Sequence, residues 1–149
     1  MIQALEVNPQ TLTSNTDNIN FTNVDVRTNS ATCNGWLQYT TGSSDFTIIG
    51  GGVFKISFNA NVTSADVGQV ALALKSSNGS DIEGTEMDAS ITTANVYRNV
   101  SFTKIIRLCP RVNTTVSIGS IATLGGVTPA VTTEIPTVKD ANLIVERIA

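Results

Sequence analysis

Histidine is absent from this 149-residue chain. Its absence removes the commonest general base, the commonest zinc ligand and every Ser-His or Cys-His nucleophile pair. Charge is scarce as well: Asp, Glu, Lys and Arg together make 14% of the residues, and the formal net charge is −3. The nine basic residues are scattered singly. No cluster is available to displace counterions from phosphates, which argues against a nucleic-acid partner. Apolar runs fall far short of the roughly 20 residues a membrane-spanning helix needs, so no membrane partner is expected. The opening MIQALEVNPQ has no basic segment followed by an apolar core, and a chain released into the cytoplasm that makes it is the expectation. Cysteine occurs only at Cys33 and Cys109, far apart and in no metal-binding pattern. Two readings stand: small hydrophobes, buried or half-buried, or a disulfide formed after release from the cell. Neither a cofactor nor a metal is expected.

What the chain does contain is β-structure. In the stretch Gly50 to Thr63, after three glycines, Phe54, Ile56, Phe58, Ala60 and Val62 fall on every second position, with mostly polar residues between. Successive strand side chains point to opposite faces, so this register describes a strand with one apolar face. Gly68 to Lys75 alternates Val70, Leu72 and Leu74 with Ala71, Ala73 and Lys75, and reads as a strand pairing back onto Phe54–Val62. Asn78-Gly79 marks a turn, as does Asn34-Gly35. Asn95 to Cys109 is a long apolar-rich segment in which Ile105 and Ile106 occupy both phases, and a bulge near Thr103-Lys104 would explain the change. Gly119 to Thr137 reads as a loop, and Ala141 to Ala149 as a final strand. No window carries a helical stripe. About eight short strands with long loops predict an all-β, two-sheet jelly-roll sandwich. Its length suits one domain, expected over residues 21–149, with residues 1–20 as an N-terminal arm or edge strand.

Periodicity also points to an oligomer. Leu143 with Val145, and Ile144 with Ile148, load both faces of the closing strand. A sheet apolar on both faces has to be covered on both. One cover is the second sheet, and with no helix present a second copy of the chain is the economical candidate for the other. Burial is worth about 25 cal/mol per Å², and a specific interface needs roughly 1,000 Å².

The run Gly52-Val53-Phe54-Lys55-Ile56-Ser57-Phe58-Asn59-Ala60 resembles the central strand of tumour-necrosis-factor-like and complement-type globular heads. The Trp36–Tyr39 segment before it, and the Val70–Leu74 strand with its Asn78-Gly79 turn and the apolar last strand after it, support the resemblance. The ending Asp140 to Ala149 is similar to that of small head proteins of Gram-positive bacteria and their tailed phages. The resemblance implies a homotrimer in which the last strand and its neighbours pack around a three-fold axis. Tyr97, Ile105, Arg107, Ile144 and Ile148 are the residues expected there. A head with no stalk suits a protein seated directly on something. The expectation is therefore a non-enzymatic protein of the virion surface, a capsid decoration or head-fibre protein docked on the major capsid protein or another virion protein. Met1, Ile2, Leu5 and Val7 are the expected docking residues. The alternative is an adhesin or receptor-binding head that recognises surface glycans.

Remaining candidates have plainer readings beside the functional ones. Asp81, Glu83, Glu86 and Asp88 form the one carboxylate cluster of the sequence. Such oxygens can hold calcium, but they lack fixed loop spacing and read as a charged edge that resists strand-to-strand association. Trp36 and Tyr39 could form a carbohydrate platform, with core packing as the plainer use.

Overall fold

The computed structural model describes residues 1–14, 16–27, 35–124 and 131–149. Cys33 and Asn34 lie outside them, and with them one thiol and half of the turn expected at Asn34-Gly35. Among the described residues there is no helix, and the strands, numbered in chain order, form two facing antiparallel sheets. The first sheet runs β3 (Asn23–Arg27), β1 (Ile2–Glu6), β13 (Thr137–Arg147), β6 (Gly52–Thr63), β9 (Arg98–Leu108), with β2 (Gln10–Thr11) also paired to β13. The second runs β4 (Leu37–Tyr39), β5 (Phe46–Ile48), β10 (Thr114–Ser120), β7 (Gly68–Ser76), β8 (Met87–Ile91). A small hairpin joins β11 (Thr123–Leu124) to β12 (Val131–Thr132). The chain is an all-β jelly-roll sandwich.

β6 behaves as its alternation requires: Phe54, Ile56, Phe58, Ala60 and Val62 are buried in the core. From the second sheet they meet Val70, Leu72, Leu74, Phe46, Ile48, Val116 and Ile118. Tyr39 stacks on Phe46 with ring centroids 4.2 Å apart, and Phe21 meets Phe46 edge-on at 5.6 Å. The Asn78-Gly79 turn forms as expected, with Gly79 at φ +79° and its amide donating to the Ser76 carbonyl at 2.8 Å.

Four expectations are corrected. β7 does not pair with β6; it crosses to the second sheet between β10 and β8, because both of its faces are buried and only an inner position there covers them. β9 carries no bulge at Thr103-Lys104, since its register with β6 runs unbroken from Gly52↔Leu108 to Val62↔Arg98. Ile106 therefore keeps phase with Val100 and Phe102, and Ile105 is the one that points outward. Residues 1–20 are neither arm nor edge: β1 lies between β3 and β13, and Ile2, Ala4, Leu12 and Ile19 share the core with Phe21. Within the stretch from Gly119 to Thr137, read as a loop, the described residues include the end of β10 at Ser120 and the paired strands β11 and β12.

The irregularity falls in β13 instead. Its register with β6 shifts between Lys139 and Asn142, and Asp140 sits there at φ +51°, a conformation that Asp tolerates better than most residues. The extra residue lets Val138 face the core together with Ala141, Leu143 and Val145. Leu143 lies fully buried at the middle of this strand. Leu143→Ala should lower unfolding stability by about 2–5 kcal/mol, read as a lower denaturation midpoint at unchanged slope.

Candidate functional site

Two surfaces are candidates, the outer face of each sheet. On the first sheet, strand register sets the residues in rows across β13, β6 and β9. Lys139, Asn61 and Asn99 form one row; Asn142, Asn59 and Ser101 the next; then Ile144, Ser57 and Thr103; then Glu146, Lys55 and Ile105. Gln3 and Leu5 of β1 extend the rows of Ile144 and Asn142. Short hydrogen-bonded side chains fill the middle rows, around an open depression of about 410 Å³ lined by Ser57, Asn59, Ser101, Thr103, Asn142 and Ile144, among others. The Ser57 and Thr103 hydroxyls are 3.1 Å apart, Gln3 Nε2 donates to Asn142 Oδ1 at 3.2 Å, and Asn61 Nδ2 donates to Asp140 Oδ2 at 3.1 Å.

The residues expected at a trimer axis separate on this face. Ile105 is 59% exposed, Ile148 is 47% exposed just beyond β13, and Arg107 is exposed at the end of β9. Ile144 is half-buried among Gln3, Ser57 and Asn142. Tyr97 lies at the far end, half-buried, with Lys139 Nζ 4.2 Å from its ring centroid. The face is thus less apolar than the alternation of the two strands suggested: Ile144 stands in a row with Ser57 and Thr103, and Ile105 in a row with Glu146 and Lys55.

The expected docking and ligand residues are partly withdrawn. Ile2 is 1% exposed and faces the core, so it cannot dock on anything. Val7 is exposed, and Met1 and Leu5 are half-buried. Tyr39 is no carbohydrate platform: it is buried, and its hydroxyl donates to the Phe21 carbonyl. Trp36 packs on the core, its ring centroid 5.3 Å from that of Phe54. Asp81, Glu83, Glu86 and Asp88 are all exposed, Asp88 on edge strand β8, and among the described residues no group of three or more metal-ligating side chains converges.

The outer face of the second sheet is covered by the chain itself. Ile121 and Leu124 pack on Ala71 and Ala73 of β7. Farther along, Asp17 to Ile19 lie beside β10: Ser120 N donates to the Asp17 carbonyl and Ile19 N to the Ile118 carbonyl, each at 2.8 Å. Asp17 holds this segment. Its Oδ2 accepts from Thr13 N at 3.0 Å and Thr13 Oγ1 at 2.7 Å, and its Oδ1 from Asn18 N at 2.8 Å. Those Thr13 bonds, with a smaller contribution from the Lys75 charge, hold its carboxyl below the ordinary value. Beyond this cover lies a cavity of about 600 Å³ lined by Asn18, Asp45, Lys75, Thr115 and Ser117, among others. Sequence reading missed it. The signal available was the small off-phase pair Ala71 and Ala73 leading to Lys75 on a strand otherwise apolar.

No protein-family model and no curated protein matches this chain. Solved structures do. The globular domain of a zebrafish complement 1qA protein is 15% identical, with 99% of this chain and 96% of that chain covered and a TM-score of 0.63. Eiger TNF from S. frugiperda is 8% identical, with 100% and 92% covered and a TM-score of 0.59. The jelly roll is of the C1q and TNF type. At these identities the likeness speaks for the fold alone, as the resemblance of the β6 run implied.

Two variants test the segment over β10. A Cβ at Gly119 would lie 2.1 Å from Asn18 Oδ1, where backbone pairing holds Asn18 in place. Gly119→Ala should therefore destabilise by about 1–3 kcal/mol in chemical denaturation. Asp17→Asn should lower the melting temperature near neutral pH. Because the Asp17 carboxyl is depressed in the fold, its contribution is complete above the ordinary value of 3.8 and is lost as pH falls through the depressed one. The gap between variant and parent should close over that acidic window.

Proposed function

We propose that this chain is a non-enzymatic head that works as a homotrimer, with the outer faces of its first sheets meeting around a three-fold axis. One contrast carries the reading. The second sheet's outer face is roofed by Ile121, Leu124 and the Asp17–Ile19 segment, whereas the first sheet's outer face has no such roof among the described residues and ends in exposed Ile105 and Ile148. Its two middle rows, Asn142, Asn59 and Ser101 and then Ile144, Ser57 and Thr103, carry no charge and suit close approach of an identical face, where buried charges would be costly. Exposed isoleucines at one end add apolar area, although the Asn and Ser rows make this interface more polar than a typical obligate one.

The setting we propose is the surface of a tailed-phage virion, as a capsid decoration or head-fibre protein on the major capsid protein or another virion protein. Support comes from the resemblance of the Asp140–Ala149 ending to such head proteins and from the low charge of the chain. Docking would use exposed Val7 with Leu5 and Met1. The second reading, an adhesin that recognises surface glycans, is favoured by the polar cavity beside Lys75 rather than by Trp36 and Tyr39.

At micromolar concentration, mass photometry or native mass spectrometry should give three times the 15.7 kDa chain mass. Ile105→Asp combined with Ile144→Asp should give monomers whose melting temperature no longer rises with protein concentration. A monomer from the unaltered chain overturns the assembly. Peptide mass spectrometry of purified virions should find the chain alongside the capsid protein. Its recovery in a cell-surface fraction instead would favour the adhesin.

A further inference from the structure

Lys75 is 8% exposed, although it lies on the outer face of the second sheet. Its place follows from the register. Lys75 pairs with Ser117 and Ala73 with Gly119 across β7 and β10, and the Lys75 stem runs diagonally over the bare backbone of Gly119. Asn18, bridged to Gly119 from the other side, closes over that stem. The ammonium is left at the wall of the cavity, and it makes no hydrogen bond or ion pair with another described side chain. Asp17, the nearest cover's carboxylate, is already committed to Thr13 and Asn18.

The cover buries the apolar stem of Lys75 and leaves its ammonium accessible from the cavity. Around it the cavity presents the hydroxyls of Thr16, Ser77, Thr115 and Ser117, with the Asp45 carboxylate opposite in sign. Its volume of about 600 Å³ falls in the range of small-molecule sites. Among the described residues no aromatic or large aliphatic side chain lines it, so an apolar ligand finds little there to rest on. One positive charge on the wall matches one negative charge, and Asp45 disfavours a group carrying two. Hydroxyls on the wall match hydroxyls on the ligand.

We propose that this cavity binds a sugar carrying a single carboxylate, of the uronic or sialic acid class, with the carboxylate on the Lys75 ammonium and the sugar hydroxyls on the Thr and Ser side chains. The cavity lies within one chain and on the sheet opposite the proposed trimer face, so it stands whether or not the chain assembles.

Isothermal titration and saturation-transfer NMR with glucuronate, N-acetylneuraminate, glucuronate methyl ester, glucose and inorganic phosphate test it. At least one of the two acids should bind at least tenfold more tightly than the ester, glucose or phosphate. Lys75→Met keeps the apolar stem and removes the charge; it should weaken acid-sugar binding at least tenfold while the protein still unfolds cooperatively. Equal binding of acid and ester overturns the proposal, as does phosphate binding as tightly as either acid, or full binding by a folded Lys75→Met protein. The ester and phosphate comparisons use the unaltered chain and decide the matter even where the variant does not fold. Trimer mass measured on the same samples keeps this outcome separate from that of the assembly.

Discussion

Strand β13 is the member on which both halves of the first sheet depend. It pairs on one side with residues 2–6 and on the other with residues 54–63, so each neighbour reaches its sheet partner only through it. Its inward residues Val138, Ala141, Leu143 and Val145 are buried against the same core as β6. Contacts that join residues so distant in sequence carry a large loop-closure cost before they give any stability. Folding of this sandwich therefore hinges on long-range pairing, and the bulge at Asp140 matters because it keeps both ends of the strand facing inward.

A sandwich of two sheets leaves two outer faces, and this chain treats them differently. Over β7 and β10 it lays its own segments, so that Ala71, Ala73 and even Lys75 are buried on a face that would otherwise meet water. Over β13, β6 and β9 it lays none among the described residues, and Asn, Ser and Thr with Lys55, Lys139 and Glu146 keep that face largely polar. The first arrangement makes the cavity beside Lys75 and the second leaves an unroofed face. These are the physical roots of the two proposals, ligand binding on one side and self-association on the other.

Scarcity of charge connects them. With 14% of residues charged, long-range electrostatic steering is weak and each buried charge stands out. Lys75 is the case in point. The Asp17 carboxylate of the cover, which feels the Lys75 charge, is itself occupied in holding the cover.

Alternation along β6 and its small glycine-rich approach were enough, with the order of the other segments, to name the fold class, because one apolar face per strand dictates a sandwich and turn residues mark its corners. The same local patterns could not say which strands pair. β7 has the alternation of a neighbour of β6, yet joins the other sheet, since only there are both of its faces covered. Nor could they show that Ile2 lies in the core, that Tyr39 donates inward, or that Lys75 is buried. Each of those depends on what segments from elsewhere in the chain place on top of a residue, and that is settled when the layers close, not by the residue's own neighbours in sequence.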